Sequence, residues 1–102
     1  MKENKILYIL NGFFPSNNNI EYVNFEENRI DIIDDGAFDN LKWLKNLDLA
    51  KNKIKMITSN MLKELTSVEK LYLIENNHIH WKKNAFKLLN ILFLVNLQQN
   101  HL

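Results

Sequence analysis

A fixed period of 24 residues constrains this chain of 102 residues more than any other feature. Each period contains two apolar residues separated by one position, followed by an asparagine. The first apolar residues are Val23, Leu47, Leu71 and Val95; the second are Phe25, Leu49, Leu73 and Leu97; the asparagines are Asn28, Asn52, Asn76 and Asn100. A period of this length indicates a solenoid, in which each turn buries its apolar side against the neighbouring turns.

The period predicts a single domain over residues 1–102. Its expected parts are a partial turn at 1–19, full repeats at 20–43, 44–67 and 68–91, and a partial repeat at 92–102. The partial turn is included because Ile6, Ile9 and Phe14 lie 24 residues before apolar residues of the first full repeat. Three full repeats are close to the smallest number that makes a stable stack.

The first segment of each repeat has the alternation of a β-strand, as in Leu47-Asp48-Leu49. The asparagine that follows can both donate and accept hydrogen bonds, so it can satisfy backbone groups at the sharp bend after the strand. Stacked turns would place these asparagines in an interior column. Each hydrogen bond left unmade there costs roughly 1–3 kcal/mol.

The second half of each repeat has the spacing of a short helical turn, with Asp34, Thr58 and Asn84 as possible N-caps. This half is expected to be wider than the strand. The stack should therefore curve, with a parallel sheet on its concave side. The predicted fold class is an α/β repeat solenoid.

The pattern Leu44-x-x-Leu47-x-Leu49-x-x-Asn52-x-Ile54-x-x-Ile57, followed by Leu62 and Leu65, resembles the leucine-rich repeat. Its length is similar to the typical extracellular subclass found in Toll-like receptors and secreted insect recognition proteins. This resemblance implies a right-handed horseshoe with a concave parallel sheet and a convex side of loops or short α- or 3-10 helices. It also implies a receptor-like, protein-binding module that acts in innate immunity or adhesion and is secreted.

Three features that often accompany secretion are missing from the sequence. It has no cysteine for disulfide-bonded caps, no Asn-x-Ser/Thr sequon, and no convincing signal peptide in Met1–Leu10. The compartment therefore stays open between the extracellular space, which the resemblance implies, and others. No apolar run is long enough to cross a membrane, so membrane insertion is not expected.

The charge distribution is uneven although the net charge is only +1. Residues 1–40 hold eight acidic and three basic side chains, whereas residues 41–102 hold four acidic and ten basic ones. The small net charge argues against nucleic acid as a partner. The asymmetry fits ordinary solvated faces, and head-to-tail association is the alternative.

Strand alternation turns one set of side chains outward on the concave sheet, and these are the candidate partner-binding residues. They are Tyr22, Asn46, Asp48, Lys70, Tyr72, Ile74, Phe93 and Leu94. The apolar members gather in the third and fourth turns, where an exposed apolar patch would mark an interaction site. Tyr72 is the expected anchor.

No residue pattern indicates catalysis. The chain lacks a cysteine nucleophile, a phosphate-binding glycine loop and a Ser/His/Asp set in a recognisable context, so neither an enzyme nor a cofactor is expected. His78, His80 and His101 could be metal ligands. The repeat instead places His78 and His80 in partly buried columns, with Ile79 turning inward in compensation and Trp81 in the core, so no metal site is predicted.

Two functions remain open at this point. One is a module that recognises a partner protein, of unknown identity, through the concave sheet. The other is an assembly unit without caps that forms homo-oligomers, or stacks on further repeats, through its open ends. A longer reading frame with a secretion signal and cysteine caps would favour the first.

Overall fold

The computed structural model describes residues 5–76, 78–82, 84–85 and 87–88. These residues form short elements in the order β1 (Tyr8–Ile9), β2 (Tyr22–Asn24), β3 (Ile32–Ile33), β4 (Asn46–Asp48), β5 (Met56–Ile57), α1 (Ser59–Leu62), β6 (Lys70–Tyr72) and β7 (His80–Trp81). Ala85, Lys87 and Leu88 are helical as well. No helix among them is both long and apolar enough to span a bilayer.

The largest sheet consists of β2, β4 and β6, paired in parallel in that order. Paired residues are one repeat apart in the sequence, since Val23 pairs with Leu47 and Leu47 pairs with Leu71. Backbone hydrogen bonds extend the pairing past the strand ends, as between Phe25 N–H and Asp48 C=O at 2.8 Å. We call the outward side of this sheet the front face; it is the side that the sequence predicts to be concave. The pairing agrees with a parallel repeat solenoid.

Two smaller parallel sheets follow the asparagine bends. β1 pairs with β3 and β5 pairs with β7, again one repeat apart. In the first of these sheets Tyr8 and Ile32 face solvent while Ile9 and Ile33 are buried. The chain therefore crosses the core from the front sheet to these strands within each turn.

The core lies inside the turns and is built from the apolar columns. Its fully buried members include Leu44, Leu47, Leu49, Leu71 and Leu73. Strand alternation explains this burial, because every second side chain of a strand points to the same face.

Aromatic rings join the first nineteen residues to this core. Phe14 packs at 6.1 Å from Phe25 and at 6.4 Å from Phe38, measured between ring centroids, and Phe13 lies 5.6 Å from Phe25. The side-chain amide of Asn40 donates to Phe14 C=O at 3.0 Å. The partial turn is thus packed against the first full repeat.

Helical structure on the return side differs between the repeats: the first has turns at 35–40, the second has α1, and the third has the helical residues Ala85, Lys87 and Leu88. Thr58 does cap α1, accepting a hydrogen bond at Oγ1 from Met61 N–H. Asp34, by contrast, starts a run of turns, and its Oδ2 accepts from Asn11 N–H in the preceding turn. Asn84 has φ +69° and immediately precedes the helical residues Ala85, Lys87 and Leu88, and its C=O accepts from Leu88 N–H at 2.9 Å. The expectation that Asp34 caps a helix was wrong.

A left-handed backbone recurs immediately before each described column asparagine. Glu27, Lys51 and Glu75 have φ of 60°, 58° and 59°. This conformation costs a residue with a side chain roughly 1–2 kcal/mol, and glycine adopts it freely. The contacts of each bend must therefore stabilise a left-handed conformation that glutamate and lysine disfavour.

We expect Glu75→Gly to leave the free energy of unfolding unchanged or to raise it by up to about 1 kcal/mol, because relief of the left-handed strain offsets the entropy that glycine adds to the unfolded chain. Glu64→Gly is the matched control. Glu64 is also exposed but is not among the residues with positive φ, so its replacement should destabilise. Urea unfolding checks both, and a larger loss for Glu75→Gly would contradict the strain argument.

Candidate functional site

The structure shows how the asparagine column holds the bends. Asn28, Asn52 and Asn76 are buried. Asn52 Oδ1 accepts from Ile30 N–H in the preceding turn at 3.0 Å, and its amide nitrogen donates to the carbonyls of Phe25, Leu49 and Ala50 at 3.0–3.1 Å. Asn100 lies outside the described residues.

The same bonds repeat one turn away on each side. Asn76 Oδ1 accepts from Ile54 N–H, and its amide nitrogen donates to Leu49 C=O and Leu73 C=O. Asn28 Oδ1 accepts from the N–H groups of Lys5 and Ile6. Because each amide bonds both its own turn and the one before it, the column sets how neighbouring strands are spaced. The same spacing determines how far apart the side chains of the front face lie.

The front face combines polar residues with a tyrosine near each end. Tyr22 of β2 has 66% of its surface exposed, and Lys70 of β6 is also exposed. Asn46, Asp48 and Tyr72 are half-buried. The pairing register places Tyr22 beside Asn46 and Asp48 beside Tyr72. The described candidate residues on these strands therefore form one continuous surface.

Two residues of this surface also shape the backbone. Asn24 Oδ1 accepts from Glu26 N–H at 2.9 Å, and Asp48 Oδ1 accepts from Ala50 N–H at 3.0 Å. These are Asx turns, in which a short polar side chain replaces a ladder partner. Tyr72 occupies the equivalent position in the third repeat. Asp48 thus has one oxygen engaged in the turn, which makes it a less accessible contact than the sequence suggests.

Ion pairs at the edges of the front face are long and partly solvated. Lys51 Nζ lies 3.7 Å from Glu26 Oε2, and Lys45 Nζ lies 3.9 Å from Glu21 Oε1. Exposed pairs of this kind contribute about 0–1 kcal/mol.

An apolar hollow opens at the β2 edge of the front sheet. Its volume is about 300 Å³, and its lining is mainly aromatic and aliphatic: Phe13, Phe14, Ile20, Tyr22, Val23, Asn24 and Phe25. Phe13 is 40% exposed there. Sequence reasoning missed this hollow because Phe13 and Ile20 approach β2 only after the partial turn has packed. The unmatched aromatic at position 13, next to the column residue Phe14, was the available signal.

The predicted apolar patch of the third and fourth turns is only partly described. Tyr72 and Ile74 are half-buried, so both reach the surface with part of their side chains. Phe93 and Leu94 lie outside the described residues. Within the described part of the chain, the most exposed large apolar group of the front face is Tyr22.

The histidine columns differ from the sequence prediction. His78 and His80 are exposed, whereas Ile79 between them is 4% exposed and belongs to the core. His78 has φ +27°, and His80 shares an exposed column with Ile32 and Met56. The expectation of partly buried histidines was wrong, whereas the expected inward turn of Ile79 is confirmed. Trp81 is half-buried and packs against the core, and Trp43 is 56% exposed.

Comparison with known proteins bears on the family. A search of curated proteins returned no match to this chain. The family model described as leucine rich repeat matches residues 2–54, a little more than half of the 102 residues. The chain therefore belongs to the leucine-rich repeat family, whose domains are generally non-catalytic protein–protein interaction modules.

Proposed function

We propose that this chain is a non-catalytic binding module that recognises a partner protein through its front face. In this proposal the solenoid is a right-handed horseshoe segment and the front face is its concave side. One observation supports this proposal best. Tyr22, the most exposed aromatic residue of the front face in the described part of the chain, lies at the rim of the apolar hollow.

This arrangement has the chemistry of an interface anchor. Tyrosine contributes a large apolar ring and a hydroxyl group while losing little conformational entropy, and it is enriched among the residues that dominate binding energy. The hollow beside Tyr22 could take an aliphatic or aromatic side chain of a partner. Tyr72 offers a second, half-buried ring two strands away.

The centre of the front face is suited to hydrogen bonds. Asn46 lies between Tyr22 and Lys70 in the pairing register. A partner that combines one or two apolar side chains with carboxylate or amide groups would complement this order. Polar contacts of this type fix orientation, while the desolvated aromatic contacts supply most of the affinity.

The repeat length supports a narrower proposal about biological role. The register of one repeat between paired strands is 24 residues at each step. This is the length of the typical extracellular subclass, so we place the chain with receptor-like proteins of innate recognition or adhesion. Secretion is part of the same proposal.

An assembly unit is the second candidate. Among the described residues β2 has a strand neighbour on one side only, and an uncovered strand edge can pair with another chain. In that case the open ends of the solenoid, rather than the front face, would be the functional surface.

Substitution of both front-face tyrosines tests the main proposal. We expect Tyr22→Ala combined with Tyr72→Ala to weaken partner binding by at least about tenfold, because each truncation removes an aromatic contact. The measurement is quantitative capture of proteins from extracts of the source organism, followed by titration of the partner that the parent protein retains. Circular dichroism confirms that the variant is folded.

Trp43→Ala is the matched control, since it removes an exposed aromatic ring that lies outside the front sheet. Partner retention should survive this change. Equal retention by the parent and the double variant would overturn the front-face proposal. Self-association through the open ends of the solenoid that the double substitution leaves intact, with no protein retained, would support the assembly unit instead.

A further inference from the structure

A second exposed apolar column lies away from the front face. It consists of the outward residues of the small sheets, which we call the side strip: Tyr8, Ile32, Met56 and His80. Tyr8, Ile32 and Met56 are 48%, 49% and 42% exposed. Tyr8 pairs with Ile32, and Met56 pairs with His80. Large apolar side chains repeated at one position of successive turns form an exposed patch of the kind that marks a contact surface.

The middle of the side strip is a pocket rather than a flat surface. β3 and β5 are not paired as strands, and a pocket of about 190 Å³ lies between them. Ile32 and Met56 stand at this pocket, with Ile33 and Met61 as its buried apolar lining. Thr58 Oγ1 donates to Asp35 Oδ1 at 2.8 Å and closes one side. A methionine or isoleucine side chain from outside has a shape suited to such a site.

The two segments that contain β3 and β5 carry net charges of opposite sign. Residues 29–35 contain one arginine and three aspartates, for a net charge of −2, and the equivalent residues 53–59 contain two lysines and no acid, for a net charge of +2. Asp31 and Lys55 are both exposed, and neither forms an ion pair in the described part of the chain. The two halves of the side strip are thus complementary to each other.

We infer that the side strip binds a second copy of this chain in an antiparallel, two-fold symmetric dimer. In a two-fold contact each surface meets its own copy, so the surface must be complementary to itself. With the axis at the pocket, turn one of each copy faces turn two of the other. Ile32 then meets Met56 of the second copy, and Asp31 meets Lys55 of the second copy. The dimer leaves the front face free and does not use the open ends of the solenoid.

Three exposed apolar side chains are fewer than a standard interface provides, so the dimer should be weak, with a Kd on the order of 10–100 µM. Sedimentation equilibrium of the full chain from about 10 µM to 1 mM covers this range. The mean mass of the parent should rise from 12.2 kDa towards twice that value. A parent that stays monomeric throughout would overturn the proposal.

Charge reversal identifies the face. Asp31→Lys alone puts lysine opposite Lys55 of the second copy, and Lys55→Asp alone puts aspartate opposite Asp31. Each single variant should therefore dimerise at least about tenfold more weakly than the parent. An equimolar mixture of the two restores both opposite-charge pairs across the contact, so it should form a one-to-one heterodimer that native mass spectrometry distinguishes by mass.

Glu69→Lys and Lys42→Asp form the control pair. They change the net charge by the same amounts at exposed positions outside the side strip. Each control variant should dimerise as strongly as the parent, and mixing the two should not increase dimer formation. If Asp31→Lys or Lys55→Asp dimerised as strongly as the parent, the contact would lie elsewhere. If mixing the two control variants increased dimer formation as much as mixing Asp31→Lys with Lys55→Asp, the increase would reflect general attraction between oppositely charged proteins. Either result would overturn the inference.

Discussion

Asn52→Leu is expected to lower the free energy of unfolding by about 3 kcal/mol. The side chain of Asn52 is 6% exposed and makes four hydrogen bonds with the backbone. Leucine has a similar size but cannot make any of them. The buried N–H of Ile30 then loses its acceptor, and a buried polar group without a partner costs roughly 1–3 kcal/mol.

The three carbonyls that accept hydrogen bonds from Asn52 are affected less by its replacement than the N–H of Ile30. Phe25 C=O also accepts from the amide of Asn28, and Leu49 C=O also accepts from the amide of Asn76. Ala50 C=O accepts from Glu27 N–H as well. These three groups therefore lose one of two donors and contribute smaller terms, of about 0.5–1 kcal/mol together once the added apolar burial of leucine is counted.

Asn46→Leu is the matched control, because Asn46 is half-buried on the front face and is absent from the column. Its replacement should change the free energy of unfolding by less than about 1 kcal/mol. Urea unfolding of the parent and both variants gives the comparison, read from the midpoint at constant slope. Equal midpoints for Asn52→Leu and Asn46→Leu would contradict the structural role of the column.

The repeat register and the inward residues could be predicted from the sequence because both follow from periodicity. A period of two residues places successive side chains on opposite faces of a strand, and a period of 24 residues stacks equivalent positions of neighbouring turns. Val23, Leu47 and Leu71 illustrate this, since they share one column in the sequence and pair in register in the sheet. The acceptor role of Asn52 Oδ1 towards the preceding turn was not apparent from the sequence, because it depends on how far one turn is offset from the next.

Other features depend on contacts that periodicity does not encode. The inward turn of Ile79 was expected, but the exposure of His78 and its positive φ were not, because a repeat alignment does not reveal backbone conformation. Asp34 does not cap a helix because its carboxylate serves Asn11 instead. The hollow at Tyr22 needs Phe13 from the partial turn, where the repeat pattern is weakest. Of these three features, the hollow is the one that lies at the front face.

The side strip shows the opposite relation between pattern and surface. Tyr8, Ile32 and Met56 recur at 24 residues as faithfully as the core columns, yet they are exposed. Periodicity alone does not separate an apolar column that fills the core from one that faces a partner. The burial of the adjacent residues Ile9, Ile33 and Ile57 makes the distinction, since each short strand has one inward and one outward side chain.

Leu49→Ala is expected to cost about 2–5 kcal/mol of the free energy of unfolding, and Leu73→Ala should cost a similar amount. Both leucines are at most 1% exposed, and truncation of such side chains loses apolar burial and leaves a cavity. In a domain whose total stability is about 5–15 kcal/mol, the variants should unfold at clearly lower urea concentrations.

The repeat architecture adds to the effect of either leucine. In a solenoid each turn is stabilised mainly by its two neighbours, so a defect in a middle turn weakens both of its interfaces. Trp43→Ala provides the control, since Trp43 is larger than leucine but 56% exposed. Its truncation should cost less than about 1 kcal/mol, because the ring is already in contact with water. If Trp43→Ala destabilised the chain as much as Leu49→Ala, side-chain size rather than burial in the repeat core would govern stability, and the assignment of the inward columns would be wrong.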